Sequence, residues 1–133
     1  MNIRTALPRD IDRLCLHDRH ISRRELGGLI NRKRVYIAEE QGEFLGWLRY
    51  SLFWDNTPFL NMLYLLEPYR RHGFGRQLMA YWEAAMKAQG YRTVMTSTAS
   101  DESAQHFYGK LGYRVIGGFL PAGEAFELIL SKQ

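Results

Sequence analysis

A basic, glycine-containing stretch lies between an apolar run and a long amphipathic segment. Unpaired backbone N–H groups at a helix start, together with the positive end of the helix dipole, form an anion site. Glycine also lets a ligand approach the backbone closely. The pattern therefore predicts a strand, a glycine turn and a helix that together bind a phosphate or pyrophosphate. The residues of the turn are Arg70, Arg71, His72, Gly73, Phe74, Gly75 and Arg76.

Two common phosphate motifs do not match this turn. A nucleoside triphosphate loop ends in Gly-Lys-Ser or Gly-Lys-Thr, whereas Gly75 is followed by Arg76. A dinucleotide fingerprint requires a third glycine at the position of Leu78. The remaining pattern is Arg-x-x-Gly-x-Gly over residues 70–75, shortly after Pro68. It resembles the loop with which acyltransferases of the GNAT superfamily bind the pyrophosphate of coenzyme A.

A second motif, over residues 101–113, resembles the other GNAT signature, except that Asp101 replaces an asparagine. The resemblance implies that the small Ala104 lets the coenzyme pass close to a helix. It also implies that Tyr108 faces the coenzyme A sulfur and protonates the departing thiolate; the alternative is a packing role. A phenol of pKa ~10 suits a thiol of pKa ~8.5. Asp101 is a candidate coenzyme contact, but its charge is unfavourable beside phosphates, and capping the helix at Ser103 is an equal alternative.

The apolar strand before the glycine turn has a further role by resemblance. In the family, the pantetheine arm of coenzyme A pairs with backbone groups near the end of this strand. The corresponding residues here are Tyr64, Leu65 and Leu66. A backbone N–H of the same strand is expected to bind the thioester carbonyl. Acetyl-CoA is thus the implied co-substrate.

Periodicity and turn residues predict the elements that position these motifs. We expect strands at 3–5, 35–40, 44–53, 59–66, 92–99, 113–119 and 125–130, and helices at 8–16, 22–32, 75–89 and 103–111. Ser22 is the expected cap of the second helix, and Ser100 or Asp101 that of the fourth. A turn at 55–58 precedes the apolar strand, which is predicted to be central. The order resembles the GNAT fold: an α/β (α+β) domain whose mixed sheet of about seven strands is flanked by four helices.

Composition sets further bounds. The 133 residues are 46% hydrophobic and 24% charged, which predicts a single globular domain over residues 1–133. No apolar run approaches the roughly 20 residues that cross a bilayer. The N-terminus shows no apolar signal segment, and we expect no membrane partner. The one cysteine, Cys15, excludes an internal disulfide, so we expect a cytoplasmic protein in which Cys15 is a core thiol.

The net charge of +4 fits either nucleic acid or a small polyanion. No basic ribbon with interleaved aromatic residues is present, so we expect no nucleic-acid partner. His17 and His20 are spaced like metal ligands, but no cysteine or carboxylate cluster accompanies them. We therefore expect a solvated loop and no metal. The chain is expected to be a monomer or a homodimer.

No residue stands out as the general base that would deprotonate an amine. Relatives that acetylate protein N-termini keep a glutamate where Thr96 stands, and histone-type relatives keep one on the strand at 60–64, which has no carboxylate. The candidates are water held by polar residues of the two strands or an acid in a loop: Asn61, Tyr64, Thr96, Asp55 and Glu124.

The leading hypothesis is an N-acetyltransferase that moves acetyl from acetyl-CoA to a primary amine, a small molecule, by direct attack in a ternary complex. The alternatives are acetylation of a protein lysine or N-terminus, and a coenzyme A-binding sensor without turnover. By resemblance the acceptor contacts residues 17–20, 54–58 and 120–124. Of the aromatic residues on two adjacent strands, most are expected to be core, with one or two lining an acceptor cavity: Trp47, Tyr50, Phe53, Trp54 and Phe59.

Overall fold

A computed structural model describes all 133 residues. Its elements are β1 (Asn2–Thr5), α1 (Ile11–His17), α2 (Arg23–Asn31), β2 (Val35–Glu40), β3 (Glu43–Phe53), β4 (Thr57–Leu65), α3 (Phe74–Ala88), β5 (Val94–Ala99), α4 (Ala104–Lys110), β6 (Arg114–Phe119) and β7 (Glu127–Lys132), with 3₁₀ turns at Pro8–Asp10 and Glu67–Tyr69. The seven strands and four helices occur in the predicted order. The predicted α+β architecture is therefore confirmed. No helix is both long and apolar enough to cross a membrane.

The strands form one mixed sheet in the order β1-β2-β3-β4-β5-β7-β6. β4 and β5 are parallel, with Phe59 opposite Met95 and Leu60 opposite Thr96. The pairs β1–β2, β2–β3, β5–β7 and β6–β7 are antiparallel. β4 is the fourth of seven strands, as its near-continuous apolar run predicted.

Local signals at the ends of the elements were reliable in some places and wrong in others. The Ser22 side chain caps α2 by accepting a hydrogen bond from the Glu25 amide at 3.1 Å. The N-cap residue of α4 is Ser103, which makes no side-chain cap, so the predicted cap by Ser100 or Asp101 is wrong. Pro58 lies inside β4, although its type suggested the preceding turn.

The chain divides into two compact units. Met1–Ser51 and Met62–Tyr81 form the N-terminal unit, and Leu52–Asn61 and Trp82–Gln133 form the C-terminal unit. In the N-terminal unit, the apolar faces of α1 and α2 pack with β2 and Trp47 into a core: Ala6, Leu14, Leu26, Ile30, Val35, Ile37 and Trp47. Burial of these side chains is the main source of stability for the unit.

The C-terminal unit is organised by β5, β7 and β6 and by α4. Gly112 follows α4 with φ +97°, the left-handed conformation that commonly ends a helix. Glu83 of α3 links the segment that follows α4 to β7. Its carboxylate accepts hydrogen bonds from the Tyr113 hydroxyl at 2.7 Å and from Lys132 Nζ at 2.8 Å. Burial, followed by this contact with Glu83, raises the pKa of Tyr113 above its usual value. Tyr113 therefore stays neutral and serves the structure.

Candidate active site

The predicted phosphate turn lies in the N-terminal unit, at the start of α3. The helix begins at Phe74, and the amides of its first turn have no acceptor within the helix. Gly73 has φ +80°, and a Cβ built on it would meet no atom within 4 Å. The space over the turn is therefore open to a ligand, and glycine is required for the backbone conformation rather than for packing.

The side chains around the turn add positive charge at the surface. Arg70, Arg71, His72 and Arg76 are all exposed. The His72 ring lies beside that of Phe74, with centroids 5.8 Å apart. Arg71 has φ +66°, an uncommon conformation for a residue with a side chain. Exposed cations beside unpaired amides are what an anionic diphosphate requires.

Arg70 differs from the other bases because it already has partners within the chain. Its Nε donates to the Leu65 carbonyl at 2.9 Å, and its guanidinium lies 4.9 Å from the centre of the Tyr64 ring. The structure thus brings together Arg70 and two of the residues predicted to contact pantetheine. Arg70 positions the end of β4 in addition to contributing charge.

The end of β4 is also fixed by β3. The Leu66 amide donates to the Leu45 carbonyl at 2.8 Å. A Cβ on Gly46 would lie 2.2 Å from the Tyr64 carbonyl oxygen, so only glycine allows this close approach of the two strands. Two backbone groups of residues 64–66, the Leu65 carbonyl and the Leu66 amide, therefore already have partners in the protein.

A buried ion pair fixes the segment between α1 and α2. Asp18 is fully buried and accepts hydrogen bonds from Arg49 Nε at 2.7 Å, Trp47 Nε1 at 3.0 Å and the His20 amide at 3.2 Å. Burial alone would raise the pKa of Asp18, but Arg49 and the two other donors outweigh it and hold the pKa below its usual value. Asp18 is therefore a structural anion that ties this segment to β3.

Sequence reasoning missed this ion pair. The available signal was Arg49, a charged residue inside an apolar strand, since arginine is almost never buried without a partner. His17 and His20 are exposed, but His17 is the last residue of α1 and only His20 lies in the loop. His17 stacks on Phe44, with ring centroids 5.4 Å apart. No group of three or more histidine, cysteine or acidic side chains could hold a metal ion.

Tyr108 lies in the C-terminal unit on α4 and is 8% exposed. Burial raises the pKa of its hydroxyl above 10.0, although a hydrogen bond with Thr96 acts in the opposite direction. Thr96 is buried on β5, and its Oγ1 donates to the Leu60 carbonyl at 3.1 Å. Thr96 thus links the Tyr108 hydroxyl on one side to the Leu60 carbonyl of β4 on the other. A neutral, positioned phenol of this kind can donate a proton.

The other residues of the second motif lie near the start of α4. Ala104 is the first residue of the helix and is partly buried, whereas Asp101 is exposed in the preceding turn. Gln105 Nε2 donates to the carbonyls of Ser100 and Glu102 at 2.8 and 3.1 Å. Gln105 therefore satisfies carbonyls of this turn, a role that the motif did not indicate.

The aromatic residues of β3 and β4 have different environments. Trp47 and Tyr50 are buried, as expected of core residues. Trp54, by contrast, is 79% exposed at the hairpin between the strands. Its ring lies 5.0 Å from that of Phe53, which lies 6.0 Å from that of Phe59. Phe53 and Trp54 line a cavity of the C-terminal unit.

The fold and the two motifs together define the class of the protein, an acyltransferase. The sequence profile of the acetyltransferase (GNAT) family matches residues 6–113, most of the chain, and the chain belongs to this family. A search of curated protein sequences finds no significant match.

Solved structures of acetyltransferases share the fold. Ribosomal-protein-alanine N-acetyltransferase from Brucella melitensis has 19% identity and a TM-score of 0.82, over 99% of each chain. PaiA N-acetyltransferase from Thermoplasma acidophilum, in complex with coenzyme A, has 19% identity and a TM-score of 0.81, over 99% of this chain and 98% of the other. An aminoglycoside 6′-N-acetyltransferase, complexed with coenzyme A, has 20% identity and a TM-score of 0.80, over 99% and 96%. At these identities the likeness establishes the fold alone.

Proposed function

We propose that the protein transfers acetyl from acetyl-CoA to the primary amine of a small molecule, by direct attack within a ternary complex. The observation that carries the proposal is the open turn at Gly73, where exposed cations surround the first amides of α3. In this proposal residues 70–76 bind the pyrophosphate. Residues 64–66, Ala104 and Asp101 contact the rest of the coenzyme.

The reaction forms one bond and breaks one. The amine nitrogen attacks the thioester carbonyl carbon, the C–N bond forms, and the C–S bond breaks as sulfur leaves with its electron pair. Tyr108 gives its proton to that sulfur. The nitrogen loses a proton to solvent as the amide forms, and Tyr108 recovers one from solvent. The amine must lose a proton before attack, which costs about 4 kcal/mol at neutral pH for a group of pKa ~10.4. Water held by Thr96 or Asn61, or an acid in a loop, accepts that proton.

Two features support a small-molecule acceptor over a protein. Thr96 occupies the position where relatives that modify protein N-termini carry a glutamate. Its hydroxyl already donates a hydrogen bond to the Leu60 carbonyl. β4 carries no carboxylate, in contrast to histone-type relatives. The names of the similar structures span both classes, since one acts on a ribosomal protein and another on aminoglycosides.

The test is release of free thiol from acetyl-CoA by the purified protein with a panel of amines, aminoglycosides, polyamines and peptides that begin with alanine. We expect turnover with at least one small amine and none with the peptides. Turnover with the peptides alone would favour the protein-acetylating alternative. Binding of coenzyme A without thiol release for any acceptor would indicate a sensor and overturn the proposal.

A further inference from the structure

The C-terminal unit contains an open cavity of about 400 Å³. Its walls are mainly Phe53, Trp54, Met95, Ile116 and Ile129, and none of its lining residues is charged. Small-molecule sites typically enclose ~300–1,000 Å³ and are mostly apolar. The cavity therefore has the size and the chemistry to hold a hydrocarbon chain or an aromatic ring.

The cavity and Tyr108 lie on opposite faces of the sheet. Met95 lines the cavity, whereas the next residue, Thr96, is the hydrogen-bonding partner of Tyr108. Successive side chains of a strand point to opposite faces, and one residue advances the strand by about 3.3 Å. A molecule bound against Met95 is thus a short distance along β5 from Thr96, and it does not compete with Tyr108 for space.

The position of Trp54 is a second, independent observation. Trp54 and Asp55 have φ values of +54° and +64°, and the Asn56 amide donates to the Phe53 carbonyl at 3.2 Å. This is the pattern of a two-residue hairpin turn of type I′, which strongly favours Asn-Gly. A tryptophan in the left-handed region is strained, and strain of this kind is concentrated at functional sites.

Core packing does not compensate for the backbone strain at Trp54. Its side chain is 79% exposed, so burial of the indole in the core does not offset the unfavourable backbone conformation. The indole instead lines the cavity, with its ring 5.0 Å from that of Phe53. Aromatic and aliphatic side chains thus line the same cavity, which suits a ligand with an apolar group that contacts both.

We propose that this cavity binds the apolar part of the acceptor amine and that Trp54 determines specificity for it. The inference rests on the proposed function, since it assigns the acceptor a chemical class: a primary amine that carries an aliphatic chain or an aromatic ring. The uncharged lining does not favour a second charge on that part of the acceptor. Amines with an apolar group are therefore preferred over polyamines and amino sugars.

The key variant is Trp54→Asn, because asparagine tolerates the left-handed conformation and removes the indole. We expect equal or higher thermal stability together with at least tenfold weaker binding of 2-phenylethylamine, measured by calorimetry, since most of one aromatic wall is lost. The matched control is Gln41→Asn. Gln41 has φ +51° in the β2–β3 hairpin of the other unit, and its replacement should raise stability without changing 2-phenylethylamine binding.

A second measurement uses wild-type protein and a series of n-alkylamines from ethyl to hexyl. Each methylene buried in the cavity should raise kcat/KM about fourfold until the cavity is filled. The dependence should be absent in Trp54→Asn. Ethanolamine, which lacks an apolar group, should be a poor substrate of both proteins.

The outcomes separate this inference from the proposed function. If 2-phenylethylamine binds wild-type protein and not Trp54→Asn, yet no amine is acetylated, the cavity assignment stands and the function fails. If amines are acetylated at rates that depend on neither chain length nor Trp54, the function stands and the cavity assignment is overturned. Loss of self-association in Trp54→Asn, with amine binding unchanged, would assign this face to a second copy of the chain and would also overturn it.

Discussion

The phosphate turn and the Tyr108–Thr96 pair are built in opposite ways. The turn is exposed and open, and it presents backbone amides together with exposed cationic side chains. Tyr108 is buried and its partner Thr96 is 1% exposed, with a hydroxyl bonded to the Leu60 carbonyl. A charged ligand can be bound by groups that face water, whereas a proton donor must be held still and shielded from it.

This comparison predicts that changes at the turn alter affinity and changes at Tyr108 alter the chemical step. The largest expected effect is that of Tyr108→Phe, which keeps the ring and removes the hydroxyl. Positioned acid catalysis is typically worth ~10²–10⁴-fold, so kcat should fall by that factor with coenzyme A affinity nearly unchanged. Steady-state kinetics and calorimetry measure the two quantities separately.

The pH profile provides the control for Tyr108→Phe. Burial raises the pKa of Tyr108 above 10.0, so the wild-type donor stays protonated through neutral and mildly alkaline pH. The basic limb of the kcat profile should therefore move in the variant. Unchanged kcat and an unchanged profile would show that Tyr108 only packs and that water protonates the thiolate.

A buried polar site in the N-terminal unit sharpens the contrast with the exposed turn. Asp18→Asn leaves the Arg49 guanidinium buried without its counterion, and breaking a buried pair typically costs ~3–5 kcal/mol. Arg49 and two further donors hold the pKa of Asp18 below its usual value, so its contribution to stability is present above about pH 4 and is lost as the pH falls through the folded pKa.

Denaturant unfolding of wild type and Asp18→Asn between pH 3 and 7 tests this prediction. The difference in the free energy of unfolding should be largest near pH 7 and should shrink towards pH 3. A difference that is constant across this range would mean that the carboxylate charge contributes nothing and that the loss has another origin.

Gly73→Asp tests the other side of the comparison. Nothing lies within 4 Å of a Cβ at Gly73, so the fold should be retained apart from backbone strain at φ +80°. A negative charge where a pyrophosphate is proposed to bind should weaken coenzyme A binding about tenfold to a hundredfold. The matched control is Gly42→Asp, at φ +81° with similarly open surroundings in the β2–β3 hairpin. Equal coenzyme A affinity in both variants would remove the turn from the binding site.

The structural features that were predicted correctly are those that residues close together in the chain determine. The glycine turn and the α2 cap at Ser22 both follow from residue types a few positions apart. The order of elements and the central place of β4 follow from periodicity and from the near-continuous apolar run of β4. These features were predicted because the signal and the structure lie in the same short segment.

What the sequence did not predict depends on residues that meet only in the fold. Asp18 and Arg49 are 31 positions apart, and neither neighbourhood identifies the other. Trp54 was one of five aromatic residues that the sequence pattern could not divide between the core and an acceptor cavity, and the hairpin places it at the surface. Gly46 gave no local sign that the Tyr64 carbonyl would lie against it. Long-range pairing and surface exposure are set by tertiary packing, which local pattern does not encode.

The smallest expected effect concerns Cys15, the only thiol in the chain. It is partly buried and packs against the apolar core of the N-terminal unit, among side chains that serve stability. Direct attack by the amine needs no acetyl-enzyme, so Cys15→Ala should leave kcat within a few fold and cost about 1 kcal/mol of stability from the lost sulfur contacts. Mass spectrometry of wild-type protein incubated with acetyl-CoA and no acceptor should detect unmodified Cys15. Stoichiometric acetylation of Cys15, with the loss of turnover in Cys15→Ala, would replace the ternary complex by a two-step transfer in which Cys15 is the nucleophile.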